Sequence, residues 1–527
     1  MMLTGAASVE VLDESEIEQY RPWLARPLDI NLASATRLLS CGLFTRFQAV
    51  SILDYRQRHG DILSGAELAL VDGFSEAVVR GLSPFLSFYS KSLPGETRVG
   101  MRGTGEATGR VGLRSDDCQS YGIKAKAAFG REEVFFSLKK PFTDRLAPPS
   151  FCYAHSGRKR LGKMVLGSFQ ARFGQGLALW SGFSMSGLQT PSAAYRRPSG
   201  LSPSWAADAL KGVAADWTFG RTVLSVFSGV TPSMLPGANL TWYGKHFQCG
   251  TTAYYSAGTG TGLVSVDVRM CLRGTELFAE AASSGGCPAF LAGVFWPMGE
   301  SRASCVVRWY PAAFSGPLSG PLRSGSKTRD EMGLSLGWEK GGKSFLTDYC
   351  MHPEAGKRQL LARLSYPVDL GKGNALQIRV SGKWKRADPQ WRANARIDYI
   401  RERGCRKTTW RSEAVYCRSV GLLTYWEEGW KGEQAAVFLR GTLFRTDHWD
   451  DRIYVYERDA PGNFNVPAYY GRGYALSAVG SYRKRVGPVR VRSDVRVAWK
   501  DYPWSRRAQL QQKPGRAELL LQLQVSW

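Results

Sequence analysis

Residues 518–527 read Glu-Leu-Leu-Leu-Gln-Leu-Gln-Val-Ser-Trp, and that order leaves few folds open. Leu519, Leu521, Leu523, Val525 and Trp527 share one parity, while Glu518, Gln522, Gln524 and Ser526 share the other, with Leu520 the exception. Successive side chains of a strand point to opposite faces, so the segment has one apolar and one polar face. About ten residues is also the span that a tilted strand needs to cross a bilayer. The pattern fits the closing strand of a membrane barrel or the edge strand of a soluble sheet.

The same period recurs upstream. From Arg98 onward, strand-like runs alternate with Gly, Pro, Ser and charged turns. In Asn374–Lys385, Leu376, Ile378, Val380 and Trp384 oppose Gln377, Arg379, Ser381 and Lys383. In 391–399, Trp391, Ala393, Ala395 and Ile397 oppose Arg392, Asn394, Arg396 and Asp398. In 489–500, Val489, Val491, Val495, Val497 and Trp499 oppose Arg490, Arg492, Asp494, Arg496 and Lys500. A sandwich would alternate as well. The length of the runs, the Trp and Tyr residues near their ends, and the lack of a break into units of about 100 residues favour a membrane barrel. The expected fold is therefore mainly β: a large antiparallel transmembrane β-barrel of roughly 18–26 strands over residues 96–527. Its expected place is the bacterial outer membrane, with lipid as one partner. The charge-free stretch 222–244, which no other exceeds in length, contains Pro232 and Pro236, so it is not one continuous apolar helix. An outer-membrane destination implies an export signal. Residues 1–9 have the small residues of such a signal's end, without a basic start or an apolar core.

Charge narrows the partners. The chain has a formal net charge of +25, which favours polyanions. Residues 1–90 carry eleven acids and seven Lys or Arg, so the remainder is more cationic still. On the alternation above, Arg379, Lys383, Arg392, Arg396, Arg490, Arg492 and Arg496 face the lumen, and a wet, cationic lumen favours anions. Residues 453–473 are long, aromatic and rich in Pro and Gly, and are expected to form an ordered inward loop or constriction.

Composition changes near residue 95, before which the chain reads as helical. Residues 1–20 carry five acids and no base, and are expected to be a flexible leader. A small all-α domain is expected over 21–92. Its helices begin after Asn31, run from Arg46 to Arg58, start again at the Ser64/Glu67 capping-box pair, and end with Glu76–Leu82 before Pro84. The segments Asp29-Ile-Asn31-x-Ala33-Ser34, Ala49-x-x-Ile52-Leu-Asp54-Tyr55-Arg56, Gly60 and Glu67-Leu68-x-x-Val71-x-Gly73-Phe74 resemble the tandem helix-hairpin-helix domain of competence protein ComEA. The resemblance covers about residues 27–87. It implies a periplasmic domain that binds double-stranded DNA without sequence preference. Backbone N–H groups of two Gly-x-Gly hairpins would approach phosphates there. The positions it assigns are Gly42, Leu43 and Thr45 in the first hairpin and Gly73, Phe74 and Ser75 in the second. The first hairpin has Leu43-Phe44-Thr45 where the family has Gly-x-Gly, and the second keeps only Gly73. Six acids stand against five arginines and His59 in 27–87, so the segment is not a basic patch. A different use of the same domain is to plug the barrel or dock a periplasmic protein, since an acidic leader beside a basic lumen suits a plug.

No catalytic constellation can be nominated, and no enzyme activity, cofactor or metal is expected. The ten cysteines form no CxxC pair, and most are expected to be unpaired. Gly320 to Thr328 nearly spells a phosphate-binding loop, with one residue too many before Lys327, and reads as a plain loop. Gly258 to Gly262 reads as a hairpin turn.

Overall fold

A computed structural model describes Tyr20 and residues 23–24, 27–33, 38, 41–89, 103–129, 131–142, 145–157, 160–184, 187–206, 208–244, 247–505 and 515–527. The acidic leader, apart from Tyr20, and the domain boundaries at 21, 92 and 96 lie outside those residues. So does much of the helix expected after Asn31.

The chain from Thr104 to Ser526 forms one closed, antiparallel 24-strand barrel. Its strands run from seven residues, Ser150–Ser156, to sixteen, Gly471–Val486. A four-residue strand, Gly200–Pro203, is an insertion that pairs with the end of Leu161–Arg172, which also pairs directly with Leu210–Phe219. Closure is made by the segment that opened the sequence reading. The last strand, Arg516–Ser526, pairs with the first, Thr104–Arg114, placing Leu521 opposite Val111 and Glu518 opposite Arg114. Arg114 and Glu518 form an ion pair of 2.7 Å across this seam. Trp527 and Gly105 exchange two backbone hydrogen bonds of 3.0 Å. A Cβ at Gly105 would lie 2.2 Å from the Trp527 ring, so only glycine fits beneath it.

The two faces sort as the alternation requires. Val264, Val266, Val268, Leu334, Leu336, Leu439, Leu443, Val495, Val497, Leu521 and Leu523 are exposed on the outer wall. Exposed Tyr255, Trp391, Tyr416, Trp430 and Trp527 stand at or near strand ends. A continuous apolar surface of this size is stable against lipid and not against water. Inward parity carries the buried polar residues, among them Glu280, Arg308, Asp348, Asp398, Asp494 and Arg496. Leu520, the exception in the last strand, is also buried on the inner side.

The two ends differ. At the end that holds Thr104 and Ser526, every connection has two to four residues. At the other end lie the long connections 141–149, 173–209, 311–330, 447–470 and 502–515. Gly258 to Gly262 falls at a tight turn between Phe247–Ser256 and Thr261–Leu272, and the sequence Gly320 to Thr328 lies in the 311–330 loop, as expected.

The lumen corrects one expectation. It is not simply a wet, cationic channel. Inward-facing Phe227, Leu235, Tyr254, Leu263, Phe278, Phe295 and Leu346 form one buried apolar cluster with Phe173, Leu177, Leu179, Leu188, Phe314 and Leu322. The second set comes from the 173–209 and 311–330 loops, which fold back inside the wall. The physical reason is that these strands carry large apolar side chains on the inner as well as the outer parity, so those inner residues need protein to cover them. A second cluster joins Tyr425 and Phe444 of the wall to Ile453, Val455 and Tyr469 of the 447–470 loop. Within that loop Ile453–Tyr454 pairs with Ala468–Tyr469, so the ordered inward loop expected over 453–473 is present.

Three helices lie wholly among the described N-terminal residues: α1, Arg46–His59; α2, Gly65–Leu68; and α3, Glu76–Leu82. Each starts at a hydroxyl cap. Thr45 accepts from the Gln48 N–H and Gln48 answers on the Thr45 N–H, a full capping box; Ser64 and Ser75 cap the other two. The helix that Asn31 is expected to cap lies largely outside the described residues; among those described, the Asn31 side chain is used elsewhere. It bonds both backbone groups of Ile62 and the Tyr89 carbonyl, while Asp29 accepts from the Asn31 and Leu32 N–H groups. Ile30, Leu38, Leu43, Phe44, Ile52, Ile62, Leu68, Val79 and Leu82 make a separate small core. On the surface of α1, the Tyr55 phenol donates to Glu67 at 3.0 Å, and this carboxylate pushes the phenol's pKa up.

None of the ten cysteines is joined in a disulfide.

Candidate functional site

The side chains that join the pieces of this molecule converge on Arg269, near the short-turn end of strand Thr261–Leu272. Its side chain is buried. Nη2 is 2.7 Å from Glu276 Oε2 on the neighbouring strand. Nη1 donates to Thr45 Oγ1 at 3.1 Å. The guanidinium lies 5.0 Å from the Phe47 ring centroid and 4.7 Å from that of Tyr195. One arginine therefore touches the wall, the helical domain and the 173–209 loop. Glu276 also meets Arg302 at 3.2 Å, and Glu339 accepts from Ser192 of the same loop at 2.7 Å. A buried cation in contact with two rings and a carboxylate is a strong local anchor.

This contact decides where the first hairpin lies. Thr45 and Leu43 are buried, Thr45 as the cap of α1 against Arg269 and Leu43 within the helical core. Gly42 has φ +74 and Gly73 φ +84, the left-handed conformations a hairpin needs. Gly73 is constrained twice, because a Cβ there would lie 2.9 Å from the Phe47 ring. Its carbonyl accepts from Gln48 Nε2 at 2.7 Å, and Phe74 packs edge-on to Phe44 at 5.8 Å. Ser75 is exposed and caps α3. The two hairpins are thus brought together, but Leu43 and Thr45 are spent on internal contacts.

The seven lumen bases named from the sequence all lie on the inner parity of their strands, with different surroundings. Arg396 and Arg411 share Asp398, at 2.7 and 2.5 Å. Arg492 forms a fork with Asp494 at 2.7–2.9 Å. Arg496 bridges Glu457 at 2.5 Å and Glu518 at 3.1 Å. Arg392 donates to the carbonyls of Asp450 and Arg452, at 2.6 and 3.1 Å, and so holds the 447–470 loop. Arg379 meets Gln377 at 2.8 Å. Lys383 is half-buried and Arg490 exposed. Much of the cationic charge is therefore structural, tying inward loops and neighbouring strands together. At the long-loop end Arg418 bridges Asp388 and Asp450 at 2.5 and 2.8 Å, and its hydrogen bond holds Asp450 below the usual carboxylate range.

Two inner groups were not singled out in the sequence. Glu280 accepts from the backbone N–H groups of Gln175, Leu177 and Ala178 at 2.6, 3.0 and 2.9 Å, pinning the 173–209 loop to the wall. Arg308, Glu331 and Asp348 form a fully buried ionic cluster, with Nε–Oε1 at 2.6 Å and Nη1–Oδ1 at 2.7 Å. Gly333 makes room for it, since a Cβ there would stand 2.4 Å from the Arg308 guanidinium carbon. A lone Glu or Arg in a strand gives no such signal; in both cases the partner lies on another element.

No protein-family model matches the chain, and no curated protein matches it. Solved structures do. The chain is similar to the translocation pore of the P pilus usher PapC, at 8% identity and TM-score 0.36, over 81% of this chain and 99% of that one. It is similar to a chain of the E. coli P pilus tip assembly intermediate PapC–PapD–PapK–PapG, at 8% identity and TM-score 0.47, over 84% of this chain and 63% of that one. Pseudomonas aeruginosa OccK3 (OpdO) matches at 9% identity and TM-score 0.30, over 81% and 95%. The barrel itself is established by its strand pairing and burial.

Proposed function

We propose that this protein is an outer-membrane barrel kept closed by its own chain, with the helical domain seated at the periplasmic mouth as the removable part. The contact of Arg269 with Thr45 and Phe47 carries this reading. Short turns mark the periplasmic end of such barrels, and Arg269 lies at that end, as do the first and last strands' outer termini. The long loops then face outward and fold back into the lumen. The protein acts as a gated conduit or docking platform and not as an enzyme. The helix-hairpin-helix resemblance supplies the domain's fold. DNA contact through the first hairpin would require the domain to leave Arg269, because Thr45 is covered there in the docked state, while Leu43 stays buried in the domain's own core.

The test is conductance in planar bilayers. Arg269→Ala and Thr45→Val remove the two halves of the anchor; the arginine change also removes the Tyr195 contact with the 173–209 loop, while Thr45→Val leaves that loop contact in place. Both are expected to raise current through the full-length chain, with the arginine change the larger because it removes a charge-assisted bond and two ring contacts. Currents equal to wild type in both variants would reject the domain as a stopper.

A further inference from the structure

A cavity of about 500 Å³ lies between the 447–470 loop and the wall on both sides of the barrel seam. It sits in the long-loop half of the lumen, away from Arg269. Its volume is that of a small-molecule site. Arg110, Arg114, Lys139, Arg496, Lys500 and Arg516 line it, against three carboxylates, Glu457, Asp459 and Glu518.

The carboxylates are already engaged. Glu518 is held by Arg114 at 2.7 Å and Arg496 at 3.1 Å. Glu457 is held by Arg496 at 2.5 Å and by the Tyr469 hydroxyl. Asp459 accepts from the Ala460 N–H at 2.7 Å. The donors are in excess. Arg110 Nε, Arg114 Nη1, Arg496 Nε and Arg516 Nε are buried and have no hydrogen-bond partner among the described residues. Arg496 itself is only 4% exposed, so its orphaned N–H is not a surface group. Charged donors removed from water are matched by acceptors wherever a protein can supply them. Here four arginines from three strands leave such donors unmatched around one cavity. The 447–470 loop adds Phe464 and Tyr470 to the lining, which suits an apolar or ring-shaped body.

We propose that this cavity is a binding site for a small organic anion, whose carboxylate or phosphate group is taken by Arg110, Arg114 and Arg516. The site is built from the wall around the seam and the loops folded against it, with no residue of the helical domain in its lining. It therefore stands or falls independently of the helical domain.

The test uses the full chain in a neutral detergent at low salt, titrated with benzoate and, separately, with inorganic phosphate. Thermal unfolding and intrinsic fluorescence are read together. Saturable binding of either probe, with a rise in the unfolding temperature, is expected, and the probe that binds tells which head group the site takes. Arg110→Gln should weaken that binding about tenfold, the loss expected of one charge-assisted contact. Arg221→Gln, in a tight turn at the opposite end, should leave it unchanged. Wild-type protein that shows no saturable response to either probe would overturn the proposal, and that arm does not depend on any variant folding. So would equal weakening in Arg110→Gln and Arg221→Gln, which would mean that the anions respond only to overall charge.

Discussion

Arg308→Met is expected to destabilise the barrel by about 3–5 kcal/mol, the cost of breaking a buried ion pair by removing one partner. Arg308, Glu331 and Asp348 are each no more than 2% exposed. Removing the guanidinium leaves two carboxylates facing one another, supported by Ser335 Oγ donating to Asp348 Oδ1 at 2.6 Å and by Ser324 donating to Glu331 from its N–H at 2.9–3.0 Å and its Oγ at 2.7 Å. Because Ser324 belongs to the 311–330 loop, the loop should loosen with the wall. Urea unfolding of the micelle-bound protein, followed by tryptophan fluorescence, measures the change. A shift under about 1 kcal/mol, the range of exposed pairs, would mean that the cluster is hydrated and not buried.

Glu280→Ala should release the 173–209 loop. Three buried N–H groups lose their common acceptor, and an unsatisfied buried donor costs about 1–3 kcal/mol. Three such donors together work against the packing of the short Gln175–Ala178 segment, and the segment is expected to leave the lumen. Limited trypsin digestion reads this directly. Wild-type protein should resist cleavage after Arg196, which donates to the Pro321 carbonyl at 3.2 Å. The variant should be cut there early and should pass more current. Glu280→Gln keeps one acceptor oxygen and should fall between the two. Equal digestion of wild type and Glu280→Ala would show that the loop is held by its apolar side chains alone.

How much of this was legible from the residues follows from local pattern. The strands from Asn374 onward declare themselves, because polar and apolar residues alternate with few exceptions, such as Leu520, and much of the inner face is ionic. The strands before about residue 350 are harder to read, because Phe227, Leu263, Phe278 and Phe295 point inward beneath the loops while Val264, Val266 and Val268 point to the outside. Apolar residues on both parities blur the period. The inward loop over 453–473 was legible from its aromatic, Pro- and Gly-rich composition. The 173–209 loop was not, since a Gly- and Ser-rich stretch reads the same inside a lumen or in water. Arg269 could not be found at all. Its bond to Thr45 spans 224 residues of sequence, and nothing near either residue announces the other. The seam cavity is hidden for the same reason, as its arginines run from Arg110 to Arg516.

The measurement that bears most directly on the barrel and its two environments is oxygen accessibility of spin labels along the last strand. Single cysteines at 519–525 in a cysteine-free background, reconstituted in lipid, would each report lipid contact. High oxygen collision rates at positions 521 and 523, with low rates at 520 and 522, are the expected result, since Leu521 and Leu523 are half-exposed on the outer wall and Leu520 and Gln522 are buried within. A flat profile, or one with the opposite parity, would contradict a membrane-spanning wall closed by this strand.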